Sequence, residues 1–250
     1  MNKAVVILDY NNVFCQNYNL TVERRKSIML SVIRQIVIFH PSVDFIEIRI
    51  YGGWYQGFEL TRAGSQVMSE HLTMELFPIL TDDNTIIQGE QSIVQSISEV
   101  DFIWYNTYRE KQGLPRLIIN REARKPICDE QRTRCPIHIL ESFARKASRI
   151  CSVEGCLTNN SSAFVSMGQK MVDTMMVCDI LTYSTKPDTQ VICVLTDDVD
   201  LFPALALCHY NQPEKELDLG IVNGQNIESY QDCLHPFNVN VFQIYDVRRA

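Results

Sequence analysis

Near its start the chain reads AVVILDY (residues 4–10), an unbroken apolar run that ends at the carboxylate Asp9. A strand with one face in water alternates apolar and polar residues, whereas a strand covered on both faces in a parallel sheet is apolar throughout. This run shows no alternation. It therefore predicts the central strand of a mainly parallel β-sheet, with Asp9 at the carboxyl end of that strand.

The spacing of apolar residues predicts alternating helices and strands along much of the remaining chain. We predict helices over 22–39, 62–76, 166–183 and 200–210, and strands over 45–54, 190–198, 217–222 and 239–245. This alternation is typical of a layered α/β fold. Residues 84–165 interrupt it with short apolar runs that could be hairpins or strands. We interpret the chain as one domain, 1–250, that carries an insertion at 84–165.

The composition limits the class of protein. With 250 residues, 46% of them hydrophobic and 21% charged, the chain can bury the core of a substantial domain. It has no run of the ~18 apolar residues that a membrane span requires, and its first residues lack the apolar region of a secretory leader. Nine cysteines, an odd number, favour free thiols. We expect a cytoplasmic protein without membrane association, and the oligomeric state stays open.

Aspartates follow two of the predicted strands. Asp9 ends the first, and Asp197, Asp198 and Asp200 lie at the end of the strand at 190–198. In an open α/β sheet, ligands bind beyond the carboxyl ends of the strands, and clustered carboxylates repel one another unless a cation lies among them. A Mg²⁺ or Mn²⁺ site is the functional interpretation. Taken singly, Asp9 could be a turn residue and Asp200 the N-cap of the next helix.

The predicted helix at 166–183 adds a third carboxylate. Lys170 and Asp173 are three residues apart and would share one face of that helix, while Asp179 would point elsewhere. A surface ion pair between Lys170 and Asp173 is the structural alternative to a catalytic role.

Three segments of the chain together resemble the motifs of a known family. They are LDYNNVF (8–14), GQKMVDTMMVCDIL (168–181) and VICVLTDDVDLFPAL (191–205). In this order they are similar to the Asp-x-x-Asn strand end, the Lys-x-x-Asp-x-x-x-x-x-Asp helix and the Ser-Gly-Asp-x-Asp-Phe strand end of the NYN domain, a PIN-like nuclease family. The matching residues are Asp9, Asn12, Lys170, Asp173, Asp179, Asp198 and Asp200. The chain departs from the last motif, with Thr196-Asp197 for Ser-Gly and Phe202 displaced by one position.

The resemblance implies a PIN-like, Rossmann-like three-layer fold and a metal-dependent endoribonuclease. Mg²⁺ or Mn²⁺ would be held by Asp9, Asp173, Asp198 and Asp200, and the substrate would be RNA, most simply single-stranded. Asn12 would orient Asp9 or a metal-bound water, and Lys170 would contact a phosphate or Asp173. The alternatives are an inactive RNA-binding or protein-interaction module with the same fold, a DNA-directed nuclease, or a phosphatase.

The insertion combines cysteines with a strong positive charge. Residues 109–149 hold eleven Lys or Arg against five Asp or Glu, although the chain as a whole carries −7. This segment is either a phosphate-binding surface or a solvated loop. The candidate RNA-binding residues are Arg121, Arg124, Lys125, Arg132 and Arg134. Cys128, Cys135, Cys151 and Cys156 form two pairs that could hold a structural Zn²⁺, with free thiols as the alternative.

Overall fold

The computed structural model describes residues 1–14, 20–71, 74–81, 84–110, 130–144, 149–164, 167–222 and 224–244. Within these residues the main sheet has seven strands in the order β11-β10-β9-β1-β2-β6-β5. Its strands are β1 (Lys3–Asp9), β2 (Phe45–Tyr51), β5 (Ile79–Leu80), β6 (Ile86–Ile93), β9 (Thr189–Leu195), β10 (Glu216–Ile221) and β11 (Val239–Gln243). All neighbouring strands run parallel except β5 and β6. The predicted α/β class and mainly parallel sheet are confirmed.

Strand β1 lies at the centre of the sheet, between β2 and β9, as its sequence predicts. Residues Ala4 to Leu8 are fully buried. Ala4, Val6 and Leu8 belong to one apolar cluster, and Val5 and Ile7 to another on the opposite face. Both faces of the sheet are therefore covered, which explains the absence of alternation in AVVILDY.

Helices supply the other half of each apolar cluster. Their bounds are α1 (Tyr10–Phe14), α2 (Val22–Phe39), α3 (Arg62–His71), α4 (Pro136–Ala144), α5 (Asn160–Ala163), α6 (Val172–Ser184), α7 (Phe202–Asn211) and α8 (Ile227–Leu234). Buried residues of α2, among them Ile28, Val32 and Ile36, pack on the first face. Buried residues of α6 and α7 pack on the second. The main sheet thus lies between two helical layers.

The predicted helix at 166–183 is wrong at its beginning. Residues Met167–Gln169 form strand β8, which pairs with β7 (Tyr108–Glu110), and α6 begins only at Val172. Met171 has a left-handed backbone with φ 67°, which interrupts any helix at that residue. Lys170 therefore lies outside the helix, and the predicted shared helical face with Asp173 does not exist.

The structure divides the chain into two compact units, Met1–Thr107 with Gln169–Ala250, and Tyr108–Gly168. Strand β6 belongs to the main sheet, so the part of the predicted insertion that precedes Tyr108 is part of the first unit. The second unit contains α4 and α5. Its buried Asn160 donates from its side chain to Phe143 O at 2.9 Å and accepts from Arg149 N at 3.1 Å.

The first unit also contains two short strands outside the main sheet. Strands β3 (Tyr55–Gln56) and β4 (Glu59–Leu60) form an antiparallel hairpin just after β2. In the described parts of the chain, no helix is both long and apolar enough to cross a lipid bilayer.

Candidate active site

The order in which strands are added to the sheet reverses between β1 and β9. From β1 the chain adds β2 and β6 on one side, whereas β9, β10 and β11 are added on the other. At such a switch point the two connections leave the sheet in opposite directions and open a crevice at the carboxyl edge. Leu8 pairs with Leu195 in register, so Asp9 and Thr196 follow at the tips of adjacent strands. The predicted convergence of these two strand ends is present.

Asp9 is held in one orientation by the start of α1. It is 2% exposed. Its Oδ1 accepts hydrogen bonds from the backbone N–H groups of Asn11 at 3.0 Å and Asn12 at 3.2 Å. Its Oδ2 accepts from Asn12 Nδ2 at 2.6 Å. Asp9 therefore acts as the predicted turn residue, and the same contacts fix the direction of its carboxylate.

Asn12 connects the two strand ends. Its Nδ2 donates both to Asp9 and to Thr196 Oγ1, the latter at 3.0 Å. The same hydroxyl oxygen accepts from Asp198 N at 3.1 Å. The bridge from Asp9 through Asn12 and Thr196 to Asp198 is thus made of direct hydrogen bonds between segments 184 residues apart.

Thr196 was not among the candidate site residues. It is fully buried and follows the last residue of β9. The signal was present in the sequence, because Thr196 occupies the position of the hydroxyl residue in the third motif. A serine hydroxyl at this position could accept the same two hydrogen bonds, from Asn12 Nδ2 and Asp198 N.

Asp198 and Asp200 lie on the turn that leads into α7. Asp198 accepts the backbone N–H of Asp200 at 2.9 Å and is the N-cap of a short 3₁₀ helix, Val199–Leu201. The alternative that Asp200 caps the next helix is wrong, because the N-cap of α7 is Leu201 and makes no side-chain cap. Asp198 is half-buried and Asp200 exposed.

Asp173, in the first turn of α6, completes the group of carboxylates. Burial raises its pKa, and the charges of Asp198 and Asp200 raise it further. Burial likewise raises the pKa of Asp9, hydrogen bonds from Asn12 oppose that shift, and the charge of Asp173 adds to it. Asp173 therefore lies close enough to Asp9, Asp198 and Asp200 for their charges to interact.

Lys170 occupies a different position from the one predicted. Its backbone N–H donates to Thr107 O at 2.9 Å, and its side chain is exposed. In the part of the chain that the structure describes, no ion pair links Lys170 to Asp173. The predicted contact between them is absent from this arrangement, and a contact of Lys170 with phosphate stays a prediction.

The donor set of the four aspartates suits a hard divalent cation in its chemistry, because all its ligand atoms are carboxylate oxygens. Over the described ranges, no Lys, Arg or His forms an ion pair with any of them. Nor does any set of three or more His, Cys, Asp or Glu in those ranges form a group that could hold a metal ion. The carboxylates share one edge without forming a preassembled cage.

The neighbouring aspartates have other roles. Asp197 Oδ1 accepts from Val222 N at 2.8 Å, which directs this side chain toward the end of β10. Asp179 is fully buried and accepts from Arg49 Nη2 at 2.7 Å, from Ser98 N at 2.6 Å and from the Tyr51 hydroxyl. As predicted, Asp179 points away from the carboxylate edge.

The cysteine and arginine predictions are only partly covered by the structure. Cys128, Arg121, Arg124 and Lys125 lie outside the described residues. Arg132 and Arg134 are exposed. The described Cys135, Cys151 and Cys156 do not form a metal-holding group with one another. Cys156 Sγ lies 3.3 Å from Thr158 Oγ1, and hydrogen bonds that its thiolate accepts from Thr158 and Cys151 lower the pKa of Cys156.

Comparisons with models of protein families, with curated proteins and with solved structures found no match to this chain.

Proposed function

We propose that this protein is a metal-dependent endoribonuclease of the PIN-like type, in which Asp9, Asp173, Asp198 and Asp200 hold Mg²⁺ or Mn²⁺. One observation carries the proposal: the hydrogen-bonded bridge from Asp9 through Asn12 and Thr196 to Asp198, at the switch point of a parallel sheet. Ligand sites of open α/β sheets occur at this position. The resemblance of the three motifs to the NYN family supplies the preference for RNA, and the odd number of cysteines supplies the preference for a cytoplasmic enzyme.

Each residue of the site would have a separate role in such a reaction. When bound, the divalent cation would supply an activated water and offset the negative charge that develops on the phosphate. Asn12 holds Asp9 by its side-chain amide, so that this carboxylate does not rotate. Thr196 keeps the backbone of Asp198 at a fixed distance from the same amide. Lys170, exposed three residues before Asp173, could bind a substrate phosphate.

A cleavage assay on labelled oligonucleotides tests the proposal. Purified protein is incubated with single-stranded RNA or single-stranded DNA of the same sequence, in Mg²⁺, Mn²⁺ or EDTA. We expect internal cleavage of the RNA with either metal and none in EDTA. Cleavage that persists in EDTA would contradict the metal mechanism, binding without cleavage would identify an inactive module, and preferential cleavage of DNA would correct the substrate.

Replacing Asn12 by Ala is expected to lower the rate of RNA cleavage by roughly 10- to 100-fold without abolishing it. Losses of this size are typical when a residue that orients a metal ligand is removed. The substitution removes the amide that joins Asp9 to Thr196 but leaves every carboxylate in place. Asn11→Ala is the matched control, because Asn11 contributes its backbone N–H to Asp9 and that group survives the change. Steady-state rates at saturating Mn²⁺ give the comparison.

Two other outcomes for Asn12→Ala would contradict this partial loss of cleavage rate. Were Asn12→Ala as inactive as a variant that lacks Asp198, Asn12 would take part in the chemistry directly. Equal rates in Asn12→Ala and Asn11→Ala would mean that the bridge has no catalytic importance.

A further inference from the structure

An exposed cluster of aromatic rings lies on the first unit. Tyr105 contacts Tyr55 and Phe58, with ring centroids 5.1 Å apart in both pairs. Phe58 is 83% exposed and Tyr105 37% exposed. Single apolar side chains on a surface are ordinary, but contacting rings that remain open to solvent mark an interaction surface. We call Tyr55, Phe58 and Tyr105 the aromatic cluster.

Two hydrogen bonds between Gly57 and Asn106 hold the cluster in place. Gly57 N donates to Asn106 Oδ1 at 3.2 Å, and Asn106 N donates to Gly57 O at 2.9 Å. Both residues have left-handed backbones, with φ 61° at Gly57 and φ 59° at Asn106. Gly adopts this conformation freely, and Asn tolerates it better than most residues. Phe58 follows Gly57 and Tyr105 precedes Asn106, so these two hydrogen bonds hold Phe58 and Tyr105 against each other.

The aromatic cluster is joined to the same edge of the sheet as the carboxylates. Asp9 pairs in register with Tyr51, the last residue of β2, and Tyr55 begins the hairpin four residues later. Four residues reach at most about 14 Å. Between them, Trp54 packs edge-on against Tyr10, the neighbour of Asp9, with ring centroids 5.4 Å apart.

Thr107 provides a second connection to the carboxylate edge. Its Oγ1 accepts from Tyr55 N at 3.1 Å, and its carbonyl accepts from Lys170 N at 2.9 Å. Lys170 precedes Asp173 by three residues. Thr107 therefore connects three segments: the hairpin, the segment that carries Tyr105 and the segment that precedes α6.

We propose that the aromatic cluster is a stacking platform for the bases of single-stranded RNA whose backbone enters the carboxylate edge. The inference rests on the proposed nuclease function. Every base has an apolar face that stacks on an aromatic side chain, and single strands offer unpaired bases for this contact. The platform would select single-stranded over double-stranded RNA, because paired bases cannot reach Phe58. It would tolerate any base sequence.

Binding measurements with Phe58→Ala test the platform. Fluorescence anisotropy in EDTA, which holds the RNA intact, compares a labelled single-stranded RNA decamer with a ribose-phosphate decamer that lacks bases. We expect Phe58→Ala to weaken binding of the RNA by roughly 5- to 100-fold, the range for loss of one stacked base, and to leave the base-free oligomer unaffected. Phe58→Trp, which keeps a ring, should bind RNA as the natural protein does.

Tyr210→Ala is the matched control. Tyr210 is also 83% exposed, and it lies near the end of α7, a helix that begins beside the carboxylate edge and leads away from it. Its loss should leave RNA binding unchanged.

The outcomes separate this inference from the proposed function. Unchanged RNA affinity in Phe58→Ala, in a protein that cleaves RNA, would overturn the platform and leave the nuclease in place. Weaker binding by Phe58→Ala in a protein that cleaves nothing would support the platform and overturn the nuclease. Equal losses for RNA and for the base-free oligomer, or conversion of an oligomer to a monomer by Phe58→Ala, would overturn stacking as the purpose of this surface.

Discussion

Asp198→Asn is expected to lower the rate of RNA cleavage by at least about 10³-fold while the protein stays folded. The loss corresponds to about 4 kcal/mol at ~1.4 kcal/mol per tenfold change, the several kcal/mol that a metal ion contributes to the transition state. The fold should survive because Asn also accepts the N–H of Asp200 and is an equally good N-cap. Initial rates and thermal melting of the same preparation give both quantities.

Asp197→Asn is the natural comparison for Asp198→Asn. The two side chains are adjacent in sequence, yet Asp197 accepts from Val222 N, and an amide oxygen can keep that bond. We expect Asp197→Asn to cleave RNA within a fewfold of the natural protein. Similar losses in both variants would indicate a general effect of charge near β9, and full activity of Asp198→Asn would remove this residue from the metal site.

Asp179→Asn is expected to lower the free energy of unfolding by about 3 kcal/mol, because it removes the closer of two carboxylates that pair with the largely buried Arg49 and leaves the more distant Glu47, at 3.4 Å. Asp179 is fully buried and forms an ion pair with Arg49 at 2.7 Å. Burial alone would lower the pKa of Arg49, but its interactions with Tyr51 and Asp179 raise it above its ordinary value. Since an arginine is effectively always protonated, Arg49 keeps its charge when Asp179 is replaced. Urea denaturation followed by circular dichroism measures the change.

Two further variants identify the cause of that loss. Asp232→Asn, at an exposed position of α8, should change the free energy of unfolding by less than about 0.5 kcal/mol. Adding Arg49→Met to Asp179→Asn should recover part of the lost stability, since it removes the charge that has lost Asp179, while Glu47 keeps its ion pair with Lys3. A loss below about 1 kcal/mol in Asp179→Asn would show that water or other groups already neutralise Arg49.

The sequence predicts the parts of the fold that local patterns determine. The uniform apolar run at 4–10 identifies β1 as the central strand, and the spacing of Ile28, Val32 and Ile36 predicts α2 with the bounds that it has. Short helices escape such analysis. Helix α1 has five residues, too few to show a period, and it is stabilised by its contacts to Asp9 and by the burial of Tyr10, Val13 and Phe14.

The error at Lys170 has a physical cause. Met167, Met171 and Met175 recur every four residues, a spacing that mimics a helical face. The left-handed backbone of Met171 depends on tertiary contacts, among them the bond from Lys170 N to Thr107 O, which a local pattern does not contain. Periodicity of apolar residues therefore predicts α6 correctly but not its first residue.

The carboxylates of the site and the contact of Asn12 with Asp9 could be predicted from the sequence, but not the connection between the two strand ends. The motifs identify Asp9 and Asp198, but the contact of Asn12 with Thr196 spans 184 residues and follows only from the order of strands. The partners of Asp179 are similarly remote, since Arg49 lies 130 residues away. Pairings at such separations depend on which strands become neighbours, and apolar spacing alone does not specify that order.

The separation of Asn12 and Thr196 also has a consequence for synthesis of the chain on the ribosome. At about 5–20 residues per second, the 184 residues between them take roughly 10–40 s to make. During that time β9 does not exist, so the neighbour of β1 on that side is missing and Asp9 has no Asp198 beside it. A nascent chain, which is surrounded by messenger and ribosomal RNA, therefore lacks the assembled carboxylate edge until most of its length has been translated.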